Sequence, residues 1–514
     1  MTRDSLTGNN RDGNLKSPWQ QSAEGTNQWR GEYSEKAYDV LIVGGGITGM
    51  TAALLLQQQD KNCIVVDAHT VGFGATGGTS AHINTFADTS YAEAESAFGK
   101  EGAQLFAAAI NEGYSIIRDN INDLGIDCDF ETKDGYLYAE DEQQMKELQE
   151  IYEAAVKYDI ALNFTKAVPI PVQYKEALIF PGQAQFHPIK YLQALVDAYT
   201  ANGGAIVDHF SVEKVTGEGT LYHAVSDSNT IKAKHVFYAT HIPPGLNIFS
   251  TRCAPYRSYV LGVSLADGNY PDALVYDMQD PYHYFRTHKI KGRKCLIVGG
   301  NDHKTAHEDP AEAFRGLEQY VRKHFQVGEI LYKWSSQYYV PVDGFPYIGL
   351  MPGESHIYCA TGYNGNGMML GTIAGKIVAD SILGKSNKYT DVFNPARIKP
   401  IAGFKEFIKE NADVAYQFVT SQFSATDIDS IKKIPNNTGK VVTLQGKRLA
   451  VFKDANGTFH SVSPVCTHAG CIVSWNNEEK SWDCPCHGAR YDIEGNVLNG
   501  PAQKSLEKID IEGI

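Results

Sequence analysis

The chain has 514 residues, 43% of them hydrophobic and 21% charged, the composition of a globular protein too long for one core, so two or three domains are expected. A formal net charge of −14 excludes nucleic acid as a default partner, because phosphate binding needs clustered Lys and Arg, and it gives no attraction to an anionic membrane surface. No stretch reaches the roughly 20 apolar residues of a transmembrane segment.

In chain order, Met1 to about Tyr38 is polar, rich in Asn, Gln, Gly and Ser, and lacks the apolar core of a secretory signal. It reads as a disordered tail over residues 1–37. The protein reads as cytoplasmic, with peripheral contact at the inner face of the membrane left open. Asp39–Val43 reads as a buried strand, Gly44–Gly49 as a turn, Met50–Gln58 as the start of a helix and Cys63–Asp67 as a second strand. Thr89–Tyr158 is largely helical, with a strand near Asp134–Ala139. Strand signals follow at Ala205–Val207, His235–Ala239 and Leu296–Val298, and a helix at Ala311–Phe325.

Late in this part come a strand at Ile357–Ala360, a glycine-rich loop at Gly362–Gly367 and a helix at Met369–Ile382, which closes a unit over residues 38–385. Residues 386–428 form a helical linker whose Phe404–Phe418 segment has apolar residues at helical spacing, so it should dock on the first domain. From residue 429 to 514 short alternating strands with turns at Gln445-Gly446 and Asp454–Gly457 predict a small all-β domain. The nine cysteines, four of them between Cys466 and Cys486, point to metal ligation more than to a disulfide scaffold.

Two motifs carry chemistry. Gly44-x-Gly46-x-x-Gly49 follows a strand and opens a helix, and Asp67 ends the next strand. The glycines allow a tight turn and the approach of a pyrophosphate to the helix N-terminus, and Asp67 is placed to accept from an adenosine ribose. The second motif is a C-x-H loop, Cys466-Thr-His468, with a C-x-x-H loop, Cys484-Pro-Cys486-His487. Two Cys and two His also suit tetrahedral zinc, but zinc hooks prefer a wider gap within each pair. The single residue between Cys466 and His468 suits ligands of two adjacent irons, thiolates on one and imidazoles on the other.

The C-terminal segment resembles the Rieske proteins of respiratory and photosynthetic cytochrome complexes. That resemblance implies a [2Fe–2S] cluster with Cys466 and Cys484 on one iron and His468 and His487 on the other. It further implies a Cys471–Cys486 disulfide, against which stand two buried thiols. Tyr491 matches a donor to a cysteine sulfur, but Ala489 stands where the family often has a Ser that donates to a cluster sulfide, so the reduction potential should lie below that of the high-potential members. Gly500-Pro501-Ala502 resembles the loop that shields such clusters; otherwise it is a simple turn.

The larger part resembles the FAD-dependent D-amino-acid oxidase, glycine oxidase and sarcosine oxidase superfamily. The resemblance rests on Gly44–Gly49, on Gly72–Ala81, on Pro341-Val-Asp343-Gly344-Phe-Pro346 and on Thr361–Gly367. It implies an α/β FAD-binding domain of Rossmann-like type with an inserted α+β substrate domain, followed by the all-β Rieske domain. Gly362, Gly365, Gly367 and Met368 match the loop that presents amides to the flavin ring. Thr79 and Ser80 match the stretch near pyrophosphate and ring, and Val212, in a strand after Asp208, matches the contact to adenine. The whole arrangement resembles a bacterial family of such oxidoreductases with a C-terminal Rieske domain.

Without a second dinucleotide fingerprint, electrons are expected from an organic substrate, by hydride removal beside an amine as in that superfamily. They are expected to leave singly through the cluster to a one-electron acceptor protein or quinone, which makes the chain a dehydrogenase on C–N bonds. A carrier with no organic substrate and a flavin/Rieske monooxygenase component are the alternatives. Arg286 is the candidate carboxylate clamp, with Tyr284 beside it, and Arg257 and Tyr259 are weaker candidates. His82 is a candidate for ring contact, Cys359 reads as a buried thiol, and Asp302–Glu308 reads as a polar loop rather than an oxygenase iron site.

Overall fold

The computed structural model describes residues 13–22, 33–226, 229–398, 404–421, 425–427 and 431–510. Strand Tyr38–Val43 is buried along nearly its whole length because it lies mid-sheet, paired in parallel with Cys63–Val66 on one side and Asn229–Tyr238 on the other. Ala205–Val207 and Ile357–Thr361 extend the parallel core, and Tyr347–Leu350 and the Lys214–Glu218/Leu221–Ser226 hairpin complete eight strands. Helix Ile47–Gln57 is apolar almost all round because it is covered by the sheet and by helix Gly367–Ile382. Small residues set that approach: a Cβ on Gly371 would meet Thr48 Oγ1 at 2.7 Å, and one on Gly375 the Thr48 carbonyl at 2.8 Å.

A second, nine-stranded sheet supplies the opposing wall. Its long strands Cys253–Leu265, Arg293–Lys304 and Val327–Pro341 pair antiparallel, and His283–Ile290 and Leu274–Tyr276 continue towards Glu131–Ala139 and Glu176–Gln185. Helix Tyr91–Asp123 starts at a capping box between Ser90 and Glu93 and turns at Gly99, where φ is 74°. The C-terminal part is two four-stranded sheets, one built on Thr438–Leu444, Lys447–Lys453 and Phe459–Val462, the other on Ser474–Asn476, Ser481–Asp483, Arg490–Tyr491 and Val497–Asn499. Among the described residues no helix is long and apolar enough to cross a membrane.

Four expectations change. Residues 13–22 of the expected tail are packed: Trp19 is 0% exposed against the second sheet, within helix Pro18–Ser22, because three side-chain hydrogen bonds, one of them from its indole, find partners there. The first helix opens at Ile47, inside the glycine turn. Val212 precedes strand Lys214–Glu218 rather than lying in a strand. Asp302 and His303 lie in strand Arg293–Lys304, not in a loop; glycines 299 and 300 that look like breakers make room for neighbours, since a Cβ on Gly299 would sit 2.0 Å from Tyr284 Cζ.

The C-terminal domain is seated on the first sheet pair by a buried cluster. Arg257 Nη2 donates to Glu479 Oε1 at 3.1 Å with both side chains at most 1% exposed, and the Ser335 hydroxyl donates to the same oxygen. The Leu15 amide donates to Glu479 Oε2 at 3.1 Å, so the N-terminal segment closes over the pair. In helix Phe404–Ser421, Glu410 and Asp413 bind Lys304 at 2.7 and 2.8 Å, and Val414 packs against the core of the C-terminal domain.

Candidate active site and cluster site

A cavity of about 1240 Å³ lies between the two sheets, above the roughly 300–1,000 Å³ of an ordinary small-molecule pocket. One end holds the dinucleotide motif. Gly44 adopts φ 115°, and a Cβ on Gly49 would lie 2.0 Å from the Gly44 carbonyl, so that glycine serves close helix–strand packing and does not itself line the cavity. Gly46 caps the helix with no side-chain bond, and Gly44, Gly46 and Thr48 face the cavity. Asp67 accepts from the Gly45 and His69 amides at 2.8 and 2.9 Å; burial pushes its carboxyl up to about 6 against the pull of those amides. Val212 and Asp208 line the same end. These residues fit the adenosine and pyrophosphate of FAD.

The loop from Phe73 to Ser80 is held from behind by its carbonyls. Ser17, Trp19, Gln20 and Trp334 donate to Gly77, Thr79, Phe73 and Gly78, which leaves Thr76, Thr79 and Ser80 along the cavity. Gly365, Gly367 and Met368 also line it, at the start of helix Gly367–Ile382, which has no side-chain cap. The Gly365 amide donates to Asp88 Oδ2 at 2.7 Å. Gly362, in contrast, packs with φ 76° against Pro341 and Cys253 away from the cavity. Cys359 is a fully buried thiol in strand Ile357–Thr361, raised far above its usual range by burial.

At the far end the walls are aromatic. Tyr276, Tyr282, Tyr284 and Tyr338 face the cavity beside His82. His82 stacks edge-on to Tyr284 at 5.3 Å, has Ser80 Oγ 3.0 Å from Nδ1, and is pushed down to about 3 by burial and then by Arg286, so it is a neutral imidazole. The residue missed in the sequence is Asp302. Its Oδ2 accepts from the Tyr338 hydroxyl at 2.8 Å, its Oδ1 accepts no hydrogen bond, and burial pushes the carboxyl up to about 7.

The expected carboxylate clamp is corrected. Arg286 is fully buried behind the Ser80 loop: its Nε donates to the Ser80 carbonyl at 2.6 Å and its guanidinium lies 5.1 Å from the Trp19 ring. It holds the loop from outside the cavity. Arg257 is committed to Glu479, and the Tyr259 hydroxyl to His303 Nε2 at 2.8 Å. His307 meets the Pro485 carbonyl at 3.2 Å, so His303 and His307 have separate hydrogen-bond partners.

In the C-terminal domain Cys466, His468, Cys484 and His487 converge and are buried. The imidazoles sit 4.8 Å apart at 80°, and Nδ1 of each is buried without a hydrogen-bond partner. Two orphaned buried nitrogens in one domain with two interacting buried thiols, Cys466 and Cys484, fit a [2Fe–2S] cluster held by thiolates on one iron and imidazoles on the other. Burial lowers both imidazoles, His487 to about 4, which keeps them neutral as ligands. The Tyr491 hydroxyl lies 3.2 Å from Cys466 Sγ, Ala489 is buried beside the ligands, and Cys471 is joined to Cys486.

The two sites adjoin. The Tyr339 ring lines the cavity, and its hydroxyl donates towards the carbonyls of His487 and Gly500 at 3.3 and 3.4 Å. Gln337 donates to the Gly488 carbonyl at 3.0 Å, and Ser250 Oγ is 3.5 Å from His468 Nε2. The Gly500-Pro501-Ala502 turn packs on the flavin side, where the Gly245 amide donates to Pro501, and the stretch from Asn496 to Ser505 forms part of the cavity wall.

This architecture defines a flavoprotein with a Rieske domain, and comparison with known proteins agrees. Residues 39–381 match the FAD dependent oxidoreductase family, and residues 424–510 the Rieske [2Fe-2S] domain. The chain therefore belongs to the FAD dependent oxidoreductase family, carries a C-terminal Rieske domain, and uses FAD and a [2Fe–2S] cluster. It is 33% identical over 479 residues to YhfW of Bacillus subtilis (strain 168), described as a Rieske 2Fe-2S iron-sulfur protein, covering 92% of this chain and 94% of that one. It is 24% identical over 368 residues to the gamma-glutamylputrescine oxidoreductase of Escherichia coli (strain K12), covering 68% of this chain and 85% of that one. Among solved structures, glycine oxidase from Geobacillus kaustophilus superposes with a TM-score of 0.60 at 18% identity, over 70% of this chain and 99% of that one.

Proposed function

We propose that this oxidoreductase oxidises an amine or amino-acid-like substrate at a carbon–nitrogen bond and delivers the electrons singly, through its Rieske cluster, to an external protein or quinone. Bound FAD supplies a two-electron acceptor and the cluster a one-electron acceptor. Tyr339 carries the reading: one side chain lines the flavin cavity and hydrogen-bonds the backbone of a cluster ligand. The chain's own part is positional. Glycines 44 and 46 with Thr76 and Thr79 would hold the dinucleotide, and Gly367 and Met368 would face the flavin ring. Cys466, Cys484, His468 and His487 would hold the irons. The tyrosine-walled end would surround the substrate with aromatic rings.

The test is anaerobic mixing of the holoenzyme with a panel of amines and amino acids, following flavin bleaching optically and the reduced cluster by electron paramagnetic resonance. The expected result is bleaching followed by a reduced-cluster signal. Bleaching with no cluster signal, together with peroxide formed at one equivalent per substrate in air, would assign the chain to oxygen-consuming oxidases instead.

A further inference from the structure

Charge is unevenly distributed along the cavity wall. Among the described residues lining it, Lys504 is the one lysine or arginine, and it stands beside Gln503, which donates to the Glu213 carbonyl at the adenosine end. The opposite end, past the Gly365–Met368 turn, holds two carboxyls, Asp302 and Asp88, and no cation. The two arginines nearest in the sheet do not line the cavity: Arg257 pairs with Glu479, and Arg286 Nε donates to the Ser80 carbonyl while its Nη2 is buried without a partner.

The tyrosines complete a recognisable environment. Tyr282 and Tyr284 rings lie 5.9 Å apart, and His82 is 5.5 Å from Tyr276 and 5.3 Å from Tyr284. Three of their hydroxyls have fixed partners on the cavity wall: Tyr276 donates to Asn84 Oδ1 at 2.8 Å, Tyr284 pairs with Ser258 at 3.1 Å, and Tyr338 donates to Asp302. That leaves ring surface, whose quadrupole attracts cations, beside a carboxylate whose Oδ1 has no close donor and only the Ser258 hydroxyl nearby. A substrate carboxylate would meet Asp302 and Asp88 at short range in a poorly solvated space with no countercharge, and like charges there repel strongly.

From this geometry we infer that the substrate end of the cavity, formed by Asp302 with Tyr276, Tyr282, Tyr284 and Tyr338, binds an alkylammonium group and selects amines that carry no carboxylate beside the nitrogen. The inference rests on the C–N oxidation reading above and narrows its substrate class. Asp302 is the anionic partner of the ammonium, and the tyrosine rings are its apolar and cation-attracting walls.

Three probes that share a tert-butyl group and differ in charge test this: tert-butylammonium, tert-butanol and pivalate. The first has no hydrogen on the carbon beside nitrogen, so it binds without being oxidised. Each is titrated anaerobically into the FAD- and cluster-loaded protein, and the change in the flavin absorbance band gives the affinity. The expected order is tert-butylammonium tighter than tert-butanol by about tenfold, with pivalate weakest. In Asp302→Asn the ammonium preference should fall to about threefold or less while the flavin and cluster spectra stay unchanged.

The wild-type comparison stands without the variant. Pivalate binding as tightly as the ammonium, or no difference among the three, overturns the inference. The outcome is separable from the redox reading. Ammonium binding with no bleaching by any oxidisable amine supports the site and defeats the oxidation. Bleaching by amino acids but not by simple amines defeats the site and leaves the oxidation.

Discussion

Replacing Glu479 by Gln removes a carboxylate that accepts from Arg257, Ser335 and the Leu15 amide while keeping its volume. Arg257 is then left as a buried guanidinium, 1% exposed, without its counterion. Removing one partner of a buried pair costs about 3–5 kcal/mol, because the remaining charge stays desolvated. With a urea dependence near ~3 kcal/mol per M, the unfolding midpoint should fall by about 1–1.7 M.

Flavin fluorescence against urea reads this directly. Arg257→Met should be destabilising alone, and the double variant should lose less than the sum of the singles by about 2 kcal/mol, since no unpaired charge remains. Midpoint shifts below about 0.3 M, or strict additivity, would show that the pair does not hold the two domains together.

Tyr339→Phe, which removes the hydroxyl between cavity and His487, should slow reduction of the cluster several-fold after amine mixing while the rate of flavin bleaching is unchanged; stopped-flow optical and freeze-quench resonance measurements separate the two. Gly49→Ala places a Cβ 2.0 Å from a backbone carbonyl, so it should lose FAD and about 1–3 kcal/mol of stability, read by flavin content and thermal melting. Ala489→Ser restores a hydroxyl donor beside the cluster and should raise the reduction potential, measured by protein-film voltammetry. Burial holds the Asp302 carboxyl near 7, with Tyr338, Ser258, Asp88 and His283 around it. It is neutral below that value and anionic above it, so tert-butylammonium affinity should strengthen as pH rises from about 6 to 8, and the step should vanish in Asp302→Asn.

What was readable in the sequence was local in the chain. Cys466 and His468, or Cys484 and His487, are two or three positions apart, so each expected pair of ligands lies within one loop. The Gly44–Gly49 turn and Asp67 were legible for the same reason, since one β-α-β unit carries them all. Residues whose role depends on sheet neighbours were not. Arg286 and Tyr284 share a strand and one face, yet only Tyr284 reaches the cavity, because Trp19 from the far N-terminus closes over Arg286. Asp302 reads as part of a polar loop in the sequence, and only the packing of Tyr284 and His283 explains the glycines 299 and 300 that let its strand run on. Tyr339 carried no local signal; its importance comes from a domain that folds well over a hundred residues later.

The wall between Asn496 and Ser505 has a consequence for how the protein matures. It belongs to the C-terminal domain but forms one side of the chamber for the dinucleotide. Synthesis runs from the N-terminus, so the earlier halves of the chamber stand open while the last segment is still being made.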